Sequence, residues 1–132
     1  AGALMSRSVS DFAKLYQQQM VSVIRQSCAE LSTRVIARTP VDSGDLRASW
    51  TPNKGEPKAV NVDTASGGGR HDIAAVVNSL EAGDTYSLAN GQPYAQRIEY
   101  EGHSPQAPNG MVRVTVAEFP QIVRSAIDAS RS

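Results

Sequence analysis

SRSVSDFAKLYQQQMVSVIRQSCAELSTRVIAR, residues 6–38, contains neither proline nor glycine. Its apolar side chains Phe12, Leu15, Tyr16, Met20, Val23, Ile24, Leu31 and Val35 recur every three or four positions. That spacing lines one face of an α-helix. The polar face holds Lys14, Gln17, Gln18, Arg25, Gln26 and Arg34. The pattern predicts one amphipathic helix of about 25–30 residues, ~40 Å long, capped at its start by Ser10 or Asp11. Pro40 stops it, because the residue before a proline avoids helical backbone. Ala1 to Leu4 read as a non-native leader and Met5-Ser6 as the natural start, leaving residues 6–132 as one domain.

After Pro40, Asp42 or Ser43 is placed to cap a short helical turn and Gly44 to allow a tight bend. Residues 46–52 alternate weakly and end in β-formers, which predicts a strand. Residues 53–70, with Gly55, Pro57 and Gly67-Gly68-Gly69, read as a flexible loop, with a short edge strand at 58–62 as an option. No strand precedes the three glycines and no Gly-Lys-Ser/Thr follows them, so they do not make a phosphate loop. Asp72 is placed to cap a second helix, with Ile73, Val76, Val77 and Leu80 on one face and Gly83 as its stop. A strand follows at 85–90, closed by Asn90-Gly91. Pro93 then opens a short helix that runs to Tyr100. Gly102 to Gly110 form a second loop. Residues 111–117 fit either a strand, by the alternation of Val112, Val114 and Val116, or a helix with Val112, Val116, Phe119, Val123 and Ile127 on one side. The helix is preferred, kinked or restarted near Pro120. Together these elements predict an α+β fold: a long N-terminal helix packed on a small antiparallel sheet, with a short middle helix and a C-terminal helix, and Trp50 buried between sheet and helix.

Lys plus Arg and Asp plus Glu each number 13, so the net charge is zero. A generic nucleic-acid binder would carry a basic excess. Aromatics are 5% of the chain, which makes the core aliphatic. No apolar run approaches the ~20 residues of a membrane span, and the N-terminus lacks the apolar stretch of a secretory signal. Cys28 is the only cysteine and falls near the apolar stripe of the first helix. It reads as a packing thiol with no disulfide or metal partner, which fits a reducing compartment. The charge is unevenly placed: +3 over residues 1–38, −4 over 39–102 and +1 over 103–132. Either these charges pair within one domain, or subunits dock acidic face to basic face. On the second reading Arg25, Arg34 and Arg38 supply the basic surface of a subunit interface, and Asp72, Glu81, Asp84, Glu99 and Glu101 the acidic one.

No catalytic constellation is visible. His71 and His103 stand in glycine-rich, exposed loops without a second ligand at metal spacing. No serine lies in a Gly-x-Ser-x-Gly elbow. Asp42 and Asp45 are three apart, but in an open turn they serve better as caps than as an acid–base pair. Glu99 and Glu101 flank Tyr100 and charge an exposed rim. The chain reads as a non-enzyme without metal or cofactor, whose long helix, small sheet and divided charge suit self-association.

Two stretches carry a family resemblance. Thr39-Pro40-Val41-Asp42-Ser43-Gly44-Asp45-Leu46-Arg47-Ala48-Ser49-Trp50 resembles the Thr-Pro-Val-Asp-Thr-Gly-x-Leu-Arg-x-Ser/Asn-Trp segment of the gene-ten-like tail-component family of long-tailed bacteriophages. Pro93-Tyr94-Ala95-Gln96-Arg97-Ile98-Glu99-Tyr100, then Gly102-His103-Ser104 and Ala107-Pro108-Asn109-Gly110-Met111-Val112-Arg113, is similar to that family's second motif, Pro-Tyr-Ala-x-x-Ile-Glu-Tyr-Gly-x-Ser…Ala-Pro-x-Gly-Met-Val-Arg. The order of elements matches over most of residues 6–128 and is weakest at 53–83. Glu101 is an added residue, and Asp45 stands where the family often has a basic one.

The resemblance implies a structural virion protein at the head–tail junction: a neck, tail-completion or tail-terminator subunit that forms a ring, usually of six, and helps attach the tail to the filled head. It implies copies of itself, a neighbouring neck or head-completion protein and a tail-tube or terminator protein as partners. DNA would pass through the channel without sequence-specific binding, and no membrane or cofactor is involved. The location implied is the virion tail or neck, and the host cytoplasm during assembly. Within the motifs, Gly44, Gly102 and Gly110 shape turns, Trp50 and Tyr94 anchor sheet and helix, and Arg47 pairs with Glu99. Pro40, Asp42, Leu46, Pro93, Ala95, Met111 and Arg113 complete the motif positions. The alternative is a small soluble regulatory or nucleic-acid-binding module, for which a DNA affinity falling steeply with salt would speak.

Overall fold

The structure, a computed structural model, describes residues 8–41, 43–101 and 104–131. Helix α1 (Val9–Ala37) is one uninterrupted rod of 29 residues. Its cap is Ser8 rather than Ser10 or Asp11. The Ser8 hydroxyl accepts from the Asp11 N–H and the Asp11 carboxylate accepts from the Ser8 N–H. Asp11 is thus the third helical residue of a reciprocal capping box.

Gly44 takes a left-handed φ of 94° and launches a helical turn, α2 (Asp45–Ala48), so the strand expected at 46–52 begins only at Trp50. Strand β1 (Trp50–Lys54) pairs antiparallel with β2 (Tyr86–Asn90), Trp50 opposite Asn90 and Lys54 opposite Tyr86. Pro52 is tolerated because each strand of a two-stranded sheet has an unpaired edge. Residues 58–62 form no strand, yet the loop is not free of anchors. The Val62 N–H donates to Ser49 Oγ at 2.8 Å, and Thr64 donates through its N–H and hydroxyl to Asp45 Oδ1 at 2.7 and 2.6 Å. A 3₁₀ turn covers Thr64–Ser66.

Asp72 caps α3 (Ile73–Val77) through the Ala75 N–H, but this helix stops at Val77 instead of reaching Gly83. Leu80 is buried from the turn that follows. Helix α4 (Ala95–Tyr100) begins just after Pro93. The C-terminal segment is helical throughout: α5 (Val112–Ala117) and α6 (Phe119–Ser130) meet at Glu118, with Pro120 in the first turn of α6. There the missing proline N–H costs nothing.

An isolated two-stranded ribbon is marginal in water and needs a helix to cover it. Here α3 packs against β1, and α3, α5 and α6 pack against α1, which reaches the ribbon where the Ser32 hydroxyl meets the Tyr86 hydroxyl at 2.6 Å. Val35 of α1 meets Leu46, Trp50, Ile98, Ala107 and Met111 in one apolar cluster, edged by Ile36, Leu88, Ala95 and Val112. Trp50 is 6% exposed, and its indole N–H donates to Thr39 Oγ1 at 2.8 Å. Trp50→Ala should therefore cost roughly 3–5 kcal/mol by leaving a large cavity. A denaturant midpoint that hardly moves in this variant would contradict the placement of the core.

Candidate functional site

The two motifs build the centre of the molecule. In the first, Pro40 ends α1 and leaves the last helical carbonyls without partners. Arg47 supplies them: its Nε donates to Thr39 O at 2.7 Å and its Nη2 to Ala37 O at 3.2 Å. Arg47 therefore does not pair with Glu99. The Thr39 hydroxyl donates to Val35 O at 2.7 Å while accepting from Trp50. Leu46 is buried below Arg47, and Pro40 is buried at the bend. Asp42 and Gly102, expected as motif positions, lie outside the described residues, as does His103.

The second motif closes on Glu99, which is not part of an exposed rim. It is 6% exposed and aims its carboxylate at the start of α5. Oε1 accepts from the Met111 and Val112 N–H groups, and Oε2 from the Arg113 N–H and Arg113 Nε at 2.9 and 3.1 Å. Arg113 Nη2 also donates to Glu99 O. Burial alone would raise the pKa of this carboxyl. The three backbone donors and the Arg113 guanidinium outweigh burial and hold it below the usual range. Gly110 is shaped for this carboxylate. Its φ is 92°, and a Cβ placed there would stand 2.6 Å from Glu99 O and Oε2. Arg113 stacks 5.1 Å from the Tyr100 ring centroid. Met111 is buried and Ala95 packs against the cluster, whereas Tyr94 is 39% exposed and lies outside that buried cluster. Pro93 is exposed.

The residues assigned to the basic surface turn inward. Arg25 Nε donates to Leu80 O at 2.8 Å. Arg34 bonds Glu30 at 2.7 Å and Glu118 at 3.1 Å. Arg38 grips both oxygens of Glu118 at 2.7 and 2.8 Å and reaches Thr115 Oγ1 at 2.8 Å. Glu118 was not singled out from the sequence, because its partners lie about 80 positions earlier. Its pKa falls to about 2, first through the Arg38 hydrogen bond and then through Arg34, against the opposing effect of burial. On the acidic side, Asp84 binds Lys54 at 3.1 Å and Asp72 serves as a cap. Asp72, Glu81 and Glu101 of that set are exposed without an ion pair among the described residues. Of the expected charge pairing, the in-chain alternative accounts for Arg34, Arg38, Asp84 and Glu99.

Cys28 is half-buried, and burial raises its pKa, which keeps the thiol protonated. His71 is half-buried rather than solvated, with Nδ1 unpartnered among the described residues. No group of three metal-ligating side chains occurs among the described residues, and no helix among them is long and apolar enough to cross a membrane.

Two variants test these clasps. Gly110→Ala should destabilise the fold by more than about 1 kcal/mol, since it combines a left-handed φ with a collision; unchanged thermal unfolding would refute the clasp. Glu118 has a folded pKa below its ordinary value of 4.5. Its stabilising contribution is therefore complete above pH 4.5 and is lost as pH falls toward about 2. Glu118→Gln should narrow the gap between denaturant midpoints at about pH 6 and about pH 3. An equal gap in both proteins would mean that Arg34 and Arg38 do not hold this carboxylate.

No protein-family model matches the chain, and searches of curated proteins and of solved structures return no match. The functional reading rests on the two motifs and on what the fold makes of them.

Proposed function

We propose that this chain is a ring-forming structural subunit of a tailed-phage virion, acting at the head–tail junction to complete the tail and help attach it to the head. The observation that carries the reading is that both motifs behave as architecture. Leu46 and Trp50 of the first meet Ile98 and Met111 of the second in a single core, and their polar members Arg47, Glu99 and Arg113 are spent on backbone groups. Residues used this way hold a shape, which supports a role in assembly. The subunit is expected to be a monomer or loose oligomer alone and a ring, of six by the family resemblance, on the tail. Its partners would be the neck or head-completion protein on one rim and the tail-tube or terminator protein on the other. DNA meets the channel as a passage rather than as a sequence to be read.

The test is complementation. Tails assembled without this chain should fail to join filled heads, and adding the purified chain should restore joining and show a ring at the tail end by electron microscopy. Tails that join heads without it, together with duplex affinity that falls steeply with salt, would replace this reading with a nucleic-acid-binding module. Charge reversal at Arg34 is a poor probe of the interface, because it also breaks the in-chain contact with Glu118.

A further inference from the structure

From Val9 to Met20 every residue of α1 is exposed. Val9 is 85%, Phe12 58%, Leu15 43%, Tyr16 65% and Met20 41% accessible. The body reaches α1 as far as Tyr16, which with Gln19, Met20, Val23 and Ile24 lines one groove beside Ile127, Ser130 and Arg131. The first two turns, Val9 to Leu15 and roughly 10 Å of helix, therefore extend past that groove, and their apolar side runs on through Tyr16 and Met20 along its wall. Taking a fully buried aromatic as ~200 Å², these five side chains present on the order of 400–500 Å². That reaches the upper range of the largest patch on an ordinary monomer and is over half of what one partner gives to a standard interface, about 800 Å².

The other end of the same helix carries a receptor of matching chemistry. A cleft of about 390 Å³ lies where α1 gives way to the first motif, walled by Pro40, Val41, Leu46, Tyr94, Ile98 and Pro105. None of the described residues that line it is charged. Val41 and Tyr94 are themselves exposed. Projection and cleft stand about 42 Å apart along α1, so one subunit cannot bring them together.

We infer that the projecting end of α1, through Phe12, Leu15 and Tyr16, seats in the Pro40–Val41–Tyr94–Ile98 cleft of the next copy of this chain. Two different surfaces at opposite ends of one subunit make a head-to-tail contact, the kind that closes into rings. Pairing two projections against each other would make a two-fold dimer and leave the cleft uncovered. The inference rests on the ring reading for its preference of a head-to-tail partner.

The experiment uses a Cys28→Ala background and two single variants, Leu15→Cys and Val41→Cys, treated with a short bismaleimide both free at high concentration and on tails lacking the subunit. A mixture of the two variants should give a cross-linked pair, while each variant alone stays uncross-linked. Phe12→Glu should weaken self-association at least tenfold and leave thermal unfolding unchanged, because Phe12 is not part of the subunit core. Cross-linking of Leu15→Cys to itself, or rings without the mixed cross-link, would overturn this contact while leaving the ring reading standing. No mixed cross-link and no ring in either setting would overturn both. A Phe12→Glu protein that assembles like the wild type would overturn this contact alone.

Discussion

The hydroxyl of Thr39 is the hinge on which the rest of the structure turns. A buried hydroxyl must be satisfied, and this one is satisfied twice, donating to Val35 O and accepting from the Trp50 indole. The first bond fixes it to the last turn of α1, and the second fixes the start of β1. Pro40 comes next, so the chain must leave the helix axis there. The direction in which it leaves is set by Arg47, whose guanidinium reaches back to Thr39 O and Ala37 O. Once Trp50 is placed, β1 follows in register with β2, and the sheet gains the helical cover it cannot do without.

Glu99 plays the corresponding part for the C-terminal third. Helix α5 begins at Val112 with no capping side chain of its own. Its first N–H groups would be orphaned in a buried place, and the Glu99 carboxylate takes them. A negative charge at a helix start is also favoured by the peptide dipoles. Because Gly110 must yield its Cβ space to that carboxylate, the Gly-Met-Val-Arg run is a single device in which each member has a reason. Glu118 closes the remaining gap by tying the α5–α6 junction to Arg34 and Arg38 of α1.

What the sequence revealed follows the range of the forces involved. α1 was legible because its periodicity is local and unbroken, and β2 and α4 because turn residues bracket them. Residues 46–48 were misread because Leu-Arg-Ala suits either state, and the left-handed backbone at Gly44 decides for a helical turn. Glu99 was misplaced on the surface for a different reason: its partners follow 12–14 positions later. The available signal was negative, a helix start at Met111-Val112 with no Ser, Thr, Asp or Asn to cap it. Glu118 offered no local sign, since its arginines pair with it only once α6 lies along α1.

The fate of the charges bears on how the subunit meets its neighbours. The sequence divides into basic and acidic stretches, which invites a picture of subunits docking by charge. The fold spends several of those groups inside the chain, on Glu118, Glu99, Lys54 and the Leu80 carbonyl. A molecule of zero net charge has little long-range field to steer association, and exposed ion pairs add at most about 1 kcal/mol each. On the proposed ring reading, the affinity between subunits would come from apolar surface, of which the largest exposed run among the described residues lies at the start of α1. An assembly driven that way forms slowly from dilute subunits and readily where a template gathers them, because the gain depends on contact area and not on attraction at a distance. That is the behaviour the proposed junction role would call for, a ring that appears on a finished tail and nowhere else.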